Sequence, residues 1–332
     1  MDPLIFGFLL SDGLISGALY ALVALALVLV FAVTRVILIP MGEWVVFAPL
    51  TQAVLLEGRL PATVWLSALL LLVWAALDLR RGRTPLLLAL AAALVVAAGY
   101  LGLAVPALAP LVAILVVLPL GPATFRLFFE PLPGATVLVY LILAVGLHFV
   151  YKGLGLAFFG PEQFGLPALL AGEVAVLGLP VPWQGIMLVL AAGLLMASLY
   201  LFFTRSLFGK ALRAAAVNRI GARLSGISVR EAGRVAFLLA TGIGALAGVL
   251  VAPLSNASYE MGFLLGLKGF VAAIVAGLSS YPLAVAGGVL VGLLESFSSF
   301  FASAYKEAIV FALLLPVLAW RSVSSLELEE EE

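Results

Sequence analysis

Four ionisable side chains stand inside stretches that are otherwise apolar: Glu43, His148, Lys268 and Glu295. Charge in such a setting is costly, so groups of this kind face a bundle interior or a wet cavity and pair with one another. Glu43 follows a break at Pro40, Met41 and Gly42, where the ends of interrupted helices can serve polar groups. Lys268 in GFLLGLKGF and Glu295 in GLLESFSS suit an ion pair across neighbouring helices, either structural or lining and gating a path. His148 is the lone histidine, lies in an apolar segment at 137–150 and has no partner in sequence; its reading is a hydrogen-bonded structural role ahead of ligation or proton transfer.

These groups do not add up to a catalytic set. There is no cysteine, hence no disulfide, thiol nucleophile or thiolate metal site. HExxH and GxSxG are absent, and Gly209-Lys210 lacks both the upstream glycine spacing and the following Ser or Thr of a phosphate loop. No catalytic residue, metal or cofactor is read, and any ATP that drives the protein is bound by another chain. Asn256-Ala257-Ser258 matches a glycosylation sequon, which is read as chance.

The elements that must position these residues follow from composition. Of 332 residues, 65% are hydrophobic and 10% charged, with zero formal net charge and a mean hydropathy of +1.27. A water-soluble domain cannot hide that much apolar surface, and nothing global points to nucleic acid. Unbroken apolar runs such as 14–33 and 86–98 exclude the alternation of a membrane barrel. The fold class is therefore an all-α integral membrane protein: one domain over 1–332, a polytopic helical bundle of roughly 8 to 11 transmembrane segments, some broken or re-entrant. Apolar windows of about 20 residues fall near 5–34, 37–56, 60–78, 86–105, 107–125, 136–157, 184–204, 235–254, 262–281, 283–300 and 304–320.

Arg80, Arg81 and Arg83 form one basic cluster, and Arg205, Lys210, Arg213, Arg219, Arg223, Arg230 and Arg234 a second. Cytoplasmic loops retain such residues, so both clusters are expected inside. Single crossings then place the N-terminus and the loop at 158–183 outside, and Arg321 with the acidic tail at 322–332 inside. With Asp2 and Asp12 ahead of or within its apolar run, the N-terminal segment reads as a first span rather than a signal peptide. The tail is given no function.

A small-residue-rich helix, a break with Pro, Gly and an acid, and a second apolar helix occur twice: over 13–56, broken at Pro40 to Glu43, and over 237–278, broken between Pro253 and Gly262 around Glu260. The two units run in opposite directions, as an inverted repeat would. Glycines recur at close-packing intervals in Gly244/Gly248, Gly262/Gly266 and Ala284/Gly288/Gly292; they serve packing first, and their lack of bulk can also open a path for a small solute. The segment 205–234 is longer than a topology signal needs. It is read either as a loop meeting lipid head groups or as a short cytoplasmic helix docking into a partner.

The chain resembles the branched-chain (hydrophobic) amino acid permease family of bacterial ABC importers. The likeness is carried by GLISGALYALVALALVLVFAVTRVILIPMGE, by GLAFFGPE, by GKALRAAAVNRIGARLSGIS, and by the run from Gly242 to Glu295 that continues to YKEAIVFALLLPVLAW. These cover roughly 10–60 and 140–320. The resemblance implies a multi-pass protein of the bacterial inner membrane working by alternating access. It implies a second permease subunit, two ABC ATPase subunits docked inside, and a periplasmic binding protein outside, docking at 158–183. It makes Arg213, Ala215, Ala216, Arg219, Gly221, Arg223 and Gly226 the ATPase-coupling segment, and places the translocation path at Gly42, Glu43, Gly262, Gly266, Lys268, Gly269 and Glu295. Cargo is expected to be a hydrophobic amino acid, with urea, short amides and other small carboxylates as family alternatives. Pro40 and Met41 stand where family members often carry a polar residue or histidine before the Gly-Glu pair, and 80–126 adds a pair of apolar segments. The alternatives to this reading are an ion-coupled secondary transporter or channel using Glu43, Lys268 and Glu295, and a membrane-embedded enzyme, for which the acids are too scattered.

Overall fold

The apolar windows become helices in the computed structural model, which describes residues 2–82, 84–176, 178–278, 280–317 and 319. Arg83, Arg321 and the tail at 322–332 lie outside the described residues, as does the side chain of Arg219. In chain order the helices are α1 (Pro3–Thr34), α2 (Met41–Leu56), α3 (Ala62–Leu79), α4 (Leu86–Ala104), α5 (Ala109–Val117), α6 (Leu120–Thr124) and α7 (Val137–Phe159). A hairpin of β1 (Glu173–Val176) and β2 (Leu179–Pro182) precedes α8 (Trp183–Arg205), α9 (Leu207–Val217), α10 (Arg219–Leu224), α11 (Val229–Val251), α12 (Met261–Val275), α13 (Tyr281–Phe301) and α14 (Lys306–Ala312).

Eight helices among the described residues are long and apolar enough to cross a membrane: α1, α3, α4, the continuous Pro106–Phe129 that contains α5 and α6, α7, α8, α11 and α13. The protein is thus a polytopic all-α membrane protein, and the small β-hairpin is a local addition in the loop before α8. Helices α2 and α12 have 16 and 15 residues. At 1.5 Å per residue neither spans a hydrocarbon core of about 30 Å, so each is a half-length element.

Local chemistry sets the breaks. Helix α1 ends at Arg35, which takes a left-handed φ of 60° while its N–H donates to the Phe31 carbonyl. Pro40 then caps α2, and Pro253 follows the end of α11. The segment after α11 is held by an antiparallel bridge, with Phe164 and Ala257 exchanging N–H to carbonyl bonds of 2.9 Å each.

Contacts fix the relative directions. Gly244 faces Met41 and Gly248 faces Val45, so α2 runs parallel to α11; Gly262 faces Gly42 and Val46 while Gly266 faces Gly42 and Ile39, so α2 runs antiparallel to α12. The pattern of long helix, break and short helix is present twice, with its short members antiparallel. Helix α1 is the central post, buried through most of its length, and α13 lies antiparallel along it with Gly13 and Gly17 meeting Gly288, Val289, Gly292 and Leu293. A smaller core joins α3, α4 and α5 through Val64, Leu71, Ala92, Val95 and Val112, and the outer face of α4 presents exposed Leu87 and Leu94 toward lipid.

Lipid supplies no hydrophobic drive between helices, so close backbone approach at glycine carries the packing. A Cβ on Gly248 would overlap the Val45 carbonyl, and one on Gly292 would meet the backbone of Gly13 and Gly17. Gly248→Leu and Gly292→Leu should each destabilise the folded protein by ~1–3 kcal/mol or more through overpacking. Gly193→Ala, where nothing lies within 4 Å, should not. Thermal unfolding of detergent-solubilised protein distinguishes them, and equal midpoints for all three would contradict the packing.

Candidate functional site

The two half-helices begin in the interior, against each other. Gly42 in the first turn of α2 packs on Gly262 and Gly266 in α12, where a Cβ on Gly262 would stand 2.9 Å from the Gly42 carbonyl oxygen. Helix N-termini carry unpaired N–H groups and a partial positive charge, both strengthened in a low-dielectric interior. Glu43 sits in that first turn and is 1% exposed.

Helix α7 brings His148 to this junction. Its Nδ1 lies 2.7 Å from Glu43 Oε1, both side chains being buried. The contact has ion-pair distance without hydrogen-bond alignment, because neither Glu43 oxygen nor His148 Nδ1 has a hydrogen-bond partner. Phe263 of α12 tilts against the imidazole with centroids 4.9 Å apart. Sequence reading left His148 without a partner. The usable signal was that two buried ionisable groups, each alone in its own segment, have each other as their cheapest solution.

The predicted Lys268 and Glu295 do meet, Nζ to Oε1 at 2.6 Å. Two further residues complete the cluster: Glu307 of α14 accepts from the same ammonium at 3.1 Å, and the Tyr20 hydroxyl of α1 donates to Glu295 Oε2. The cluster ties α1, α12, α13 and α14 together. Gly269 packs on Val23 of α1, and Gly42 and Gly262 are likewise occupied by helix contact. Gly266, besides packing on Gly42, lines a cavity of about 500 Å³ between α7, α12 and the 37–39 segment.

A second buried charge network, not anticipated, lies at the end of the bundle where α3 stops and α11 starts. Arg126 is 2% exposed and donates to Asp78 Oδ1 at 2.7 Å, with Glu130 3.4 Å away. Arg234 of α11 grips Glu130 in a bidentate pair, both bonds 2.9 Å, and its guanidinium stacks 5.1 Å from the Trp74 ring. Trp74 closes the set by donating to Asp78 at 3.1 Å. Two cations and two acids thus balance across α3, α11 and the π-helical turn Phe125–Phe129. Such turns often mark functional positions.

The basic segment lies at the same end. Ser206 caps α9, Asn218 caps α10 by accepting from the Gly221 N–H at 2.9 Å, and Gly226 turns the chain at φ 81° toward the Ser228 cap of α11. Ala215 faces inward and is fully buried, Ala216 and Gly221 are half-buried, and Arg213, Arg223 and Gly226 are exposed. The sequence reading passed over the segment's outward-facing apolar groups: Val217, Ile220 and Leu224 are 82%, 74% and 85% exposed, and Leu207 and Phe208 at the start of α9 are exposed as well. A cavity of about 510 Å³ separates this segment from the bundle, lined by Thr34, Glu130, Tyr140, Arg223 and Arg230 among others.

A family profile described as "Branched-chain amino acid transport system / permease component" matches residues 82–318. The chain is 28% identical over 341 aligned positions to the high-affinity branched-chain amino acid transport system permease protein BraD of Pseudomonas aeruginosa, covering 99% of both chains. It is 29% identical over 232 positions to the corresponding protein LivH of Escherichia coli, covering 68% of this chain and 72% of that one. A third relative is the probable branched-chain amino acid transport permease protein LivH of Methanocaldococcus jannaschii, 33% identical over 113 positions, or 34% of this chain and 36% of that one. No solved structure gives a significant match.

Removing the one cation from the Lys268 cluster tests its geometry. Lys268→Met leaves Glu295 and Glu307 facing each other with a stranded buried charge, which should cost about 3 kcal/mol, the low end for a broken buried pair because the Glu307 side chain is 35% exposed. The double variant Lys268→Met with Glu295→Gln should recover part of that loss. Thermal unfolding of the solubilised protein reads both, and additive losses would refute the coupling.

Proposed function

Because the chain belongs to the branched-chain amino acid transport system permease component family, we propose that it forms half of a membrane pathway through which an ABC importer carries branched-chain or other hydrophobic amino acids inward by alternating access. It is a transporter component rather than a catalytic enzyme. ATP is then hydrolysed on separate subunits, a second permease subunit completes the pathway, and a periplasmic protein delivers cargo.

The observation that carries the coupling assignment is the apolar trio Val217, Ile220 and Leu224, exposed on the two short helices of the basic segment. Apolar groups displayed among Arg213 and Arg223 suit a protein partner better than water or lipid head groups, and clustered exposed apolar residues mark such contacts. The segment runs on into α11, where Arg234 and Glu130 join that helix to the rest of the bundle. The segment therefore has a rigid connection to pass on a push from the ATPase. Arg219, Ala216, Gly221 and Gly226 belong to the same docking unit, with Ala215 as its inward anchor.

The orientation follows from charge. Arg80 and Arg81 leave α3 at the end where Asp78 meets Arg126, beside Arg234 and the basic segment, and positive residues are retained inside. On this reading the N-terminus is outside, the C-terminus is in the cytoplasm, and the loop at 158–183 with its hairpin is outside, a docking surface for the delivering protein. Exposed leucines on α3, α4, α7 and α8 face the bilayer of the bacterial inner membrane.

Two substitutions test the coupling role without disturbing the core. Ile220→Glu and Arg213→Glu are surface changes, so the variants should insert and fold. ATP-driven leucine uptake into proteoliposomes holding the full complex should fall at least ten-fold. Normal uptake by both variants would overturn the docking assignment, and wild-type uptake that persists without ATP would overturn the ABC reading in favour of an ion-coupled carrier.

A further inference from the structure

The cavity beside His148 has walls and a charge pattern that the transport reading leaves unused. It holds about 500 Å³, within the ~300–1,000 Å³ usual for small-molecule sites. Val145, Phe149, Leu267 and Phe270 make it largely apolar, and its polar side chains are His148 and Lys152. No carboxylate is among its lining residues. His148 is the twelfth residue of the 23-residue α7, so the cavity sits near the middle of that span.

The two polar groups are not spent elsewhere. Lys152 makes no ion pair among the described residues. His148 lines the cavity and has its Nδ1 2.7 Å from the buried Glu43 without hydrogen-bond alignment, so that nitrogen is not held by a hydrogen bond. The carboxylate stands on the Nδ1 side of the imidazole, and the ring edge that lines the cavity is open to a ligand. Phe263 and Gly266, in the first two turns of α12, also border the cavity, so the positive end of that helix is directed to the same region.

We propose that this cavity is the site where the permease itself recognises its cargo: Lys152 and His148 hold the carboxylate of an amino acid, and the apolar walls take its aliphatic side chain. The proposal rests on the transport reading and adds to it a chemical requirement, that the ligand carry a carboxylate. A carboxylate paired with an ammonium in an otherwise apolar cavity gains a charge-assisted bond that repays its desolvation; an amine there meets a like charge. The ammonium of an amino acid is served instead by the unwound edge at 37–39, where the Ile37 and Leu38 carbonyls each accept one turn bond and keep a lone pair. Urea and simple amides, lacking a carboxylate, are poor ligands for this arrangement.

The test measures binding of tritiated leucine, without ATP, to the complex of permease and ATPase subunits in nanodiscs, with the delivering periplasmic protein left out. 4-Methylpentanoate, which keeps the carboxylate and loses the amine, should displace leucine, whereas 3-methylbutylamine should not. Lys152→Met should weaken leucine binding at least ten-fold and Lys152→Arg should restore most of it. Val145→Trp, which fills the cavity without touching a charge, should abolish binding, so the site does not hang on one variant folding. Equal displacement by the amine and the acid, or wild-type binding in both Lys152→Met and Val145→Trp, overturns the proposal. ATP-driven uptake by the wild-type complex is read separately: uptake without measurable binding refutes this site alone, and binding without ATP-driven uptake refutes the transport reading alone.

Discussion

A helix that begins inside a membrane leaves its first N–H groups without water to take them, and irregular backbone is tolerated at that depth only where protein encloses it. That constraint governs the arrangement of α2 and α12. Both are too short to cross, and both start in the interior, where Gly42, Gly262 and Gly266 let the two N-terminal turns close on each other. Residues 41–55 are buried without exception, so α2 is enclosed by protein along nearly its whole length. The long helices α1, α11 and α13 are placed as they must be to enclose such a junction, and their glycines allow the backbones close enough to exclude lipid.

Placing charge there follows the same logic. Two positive helix ends in a low-dielectric interior favour a nearby acid, and Glu43 in the first turn of α2 provides it. A buried carboxylate in turn needs a counter-group, and His148 is at hand. The Lys268 cluster and the network of Asp78, Arg126, Glu130 and Arg234 obey the same rule of mutual satisfaction, although they differ in balance. The second is neutral across two cations and two acids and binds several helices into one unit. The first has one cation for two acids, and its Glu307 side chain is one-third exposed.

Sequence revealed what depends on runs and breaks. Hydropathy gave the spans, Pro40 and Pro253 gave the interruptions, and Lys268 with Glu295 stood out as a pair because helices adjacent in the chain tend to be adjacent in space. Pairings between distant segments were hidden: His148 with Glu43, Tyr20 with Glu295, Arg126 with Asp78. Each needs the packing order of the helices, which periodicity does not encode when a helix is apolar all round. The glycines show the same limit, since Gly248 and Gly193 look alike in sequence while only the first lies against a neighbour's backbone. In the basic segment, attention to charge drew the reading to arginines and away from Val217, Ile220 and Leu224, whose exposure only the fold discloses.

The junction and the basic segment are far apart, yet one element touches both. Helix α11 is continuous over 23 residues, about 34 Å at 1.5 Å per residue. Near its start Arg234 is locked to Glu130, and further along Gly248 rests on the Val45 carbonyl of α2, close above Glu43. Beyond that, the Leu250 carbonyl accepts from Gln184 at 2.6 Å, and the following loop is bridged to Phe164. Packed interfaces of this kind switch between discrete arrangements rather than deform smoothly. A displacement at the Arg234 end of α11 would therefore carry α2, and with it Glu43 and its contact to His148. In the transport cycle proposed above, the half-helix geometry that the membrane demands is then also the route from the basic segment to the proposed cargo cavity.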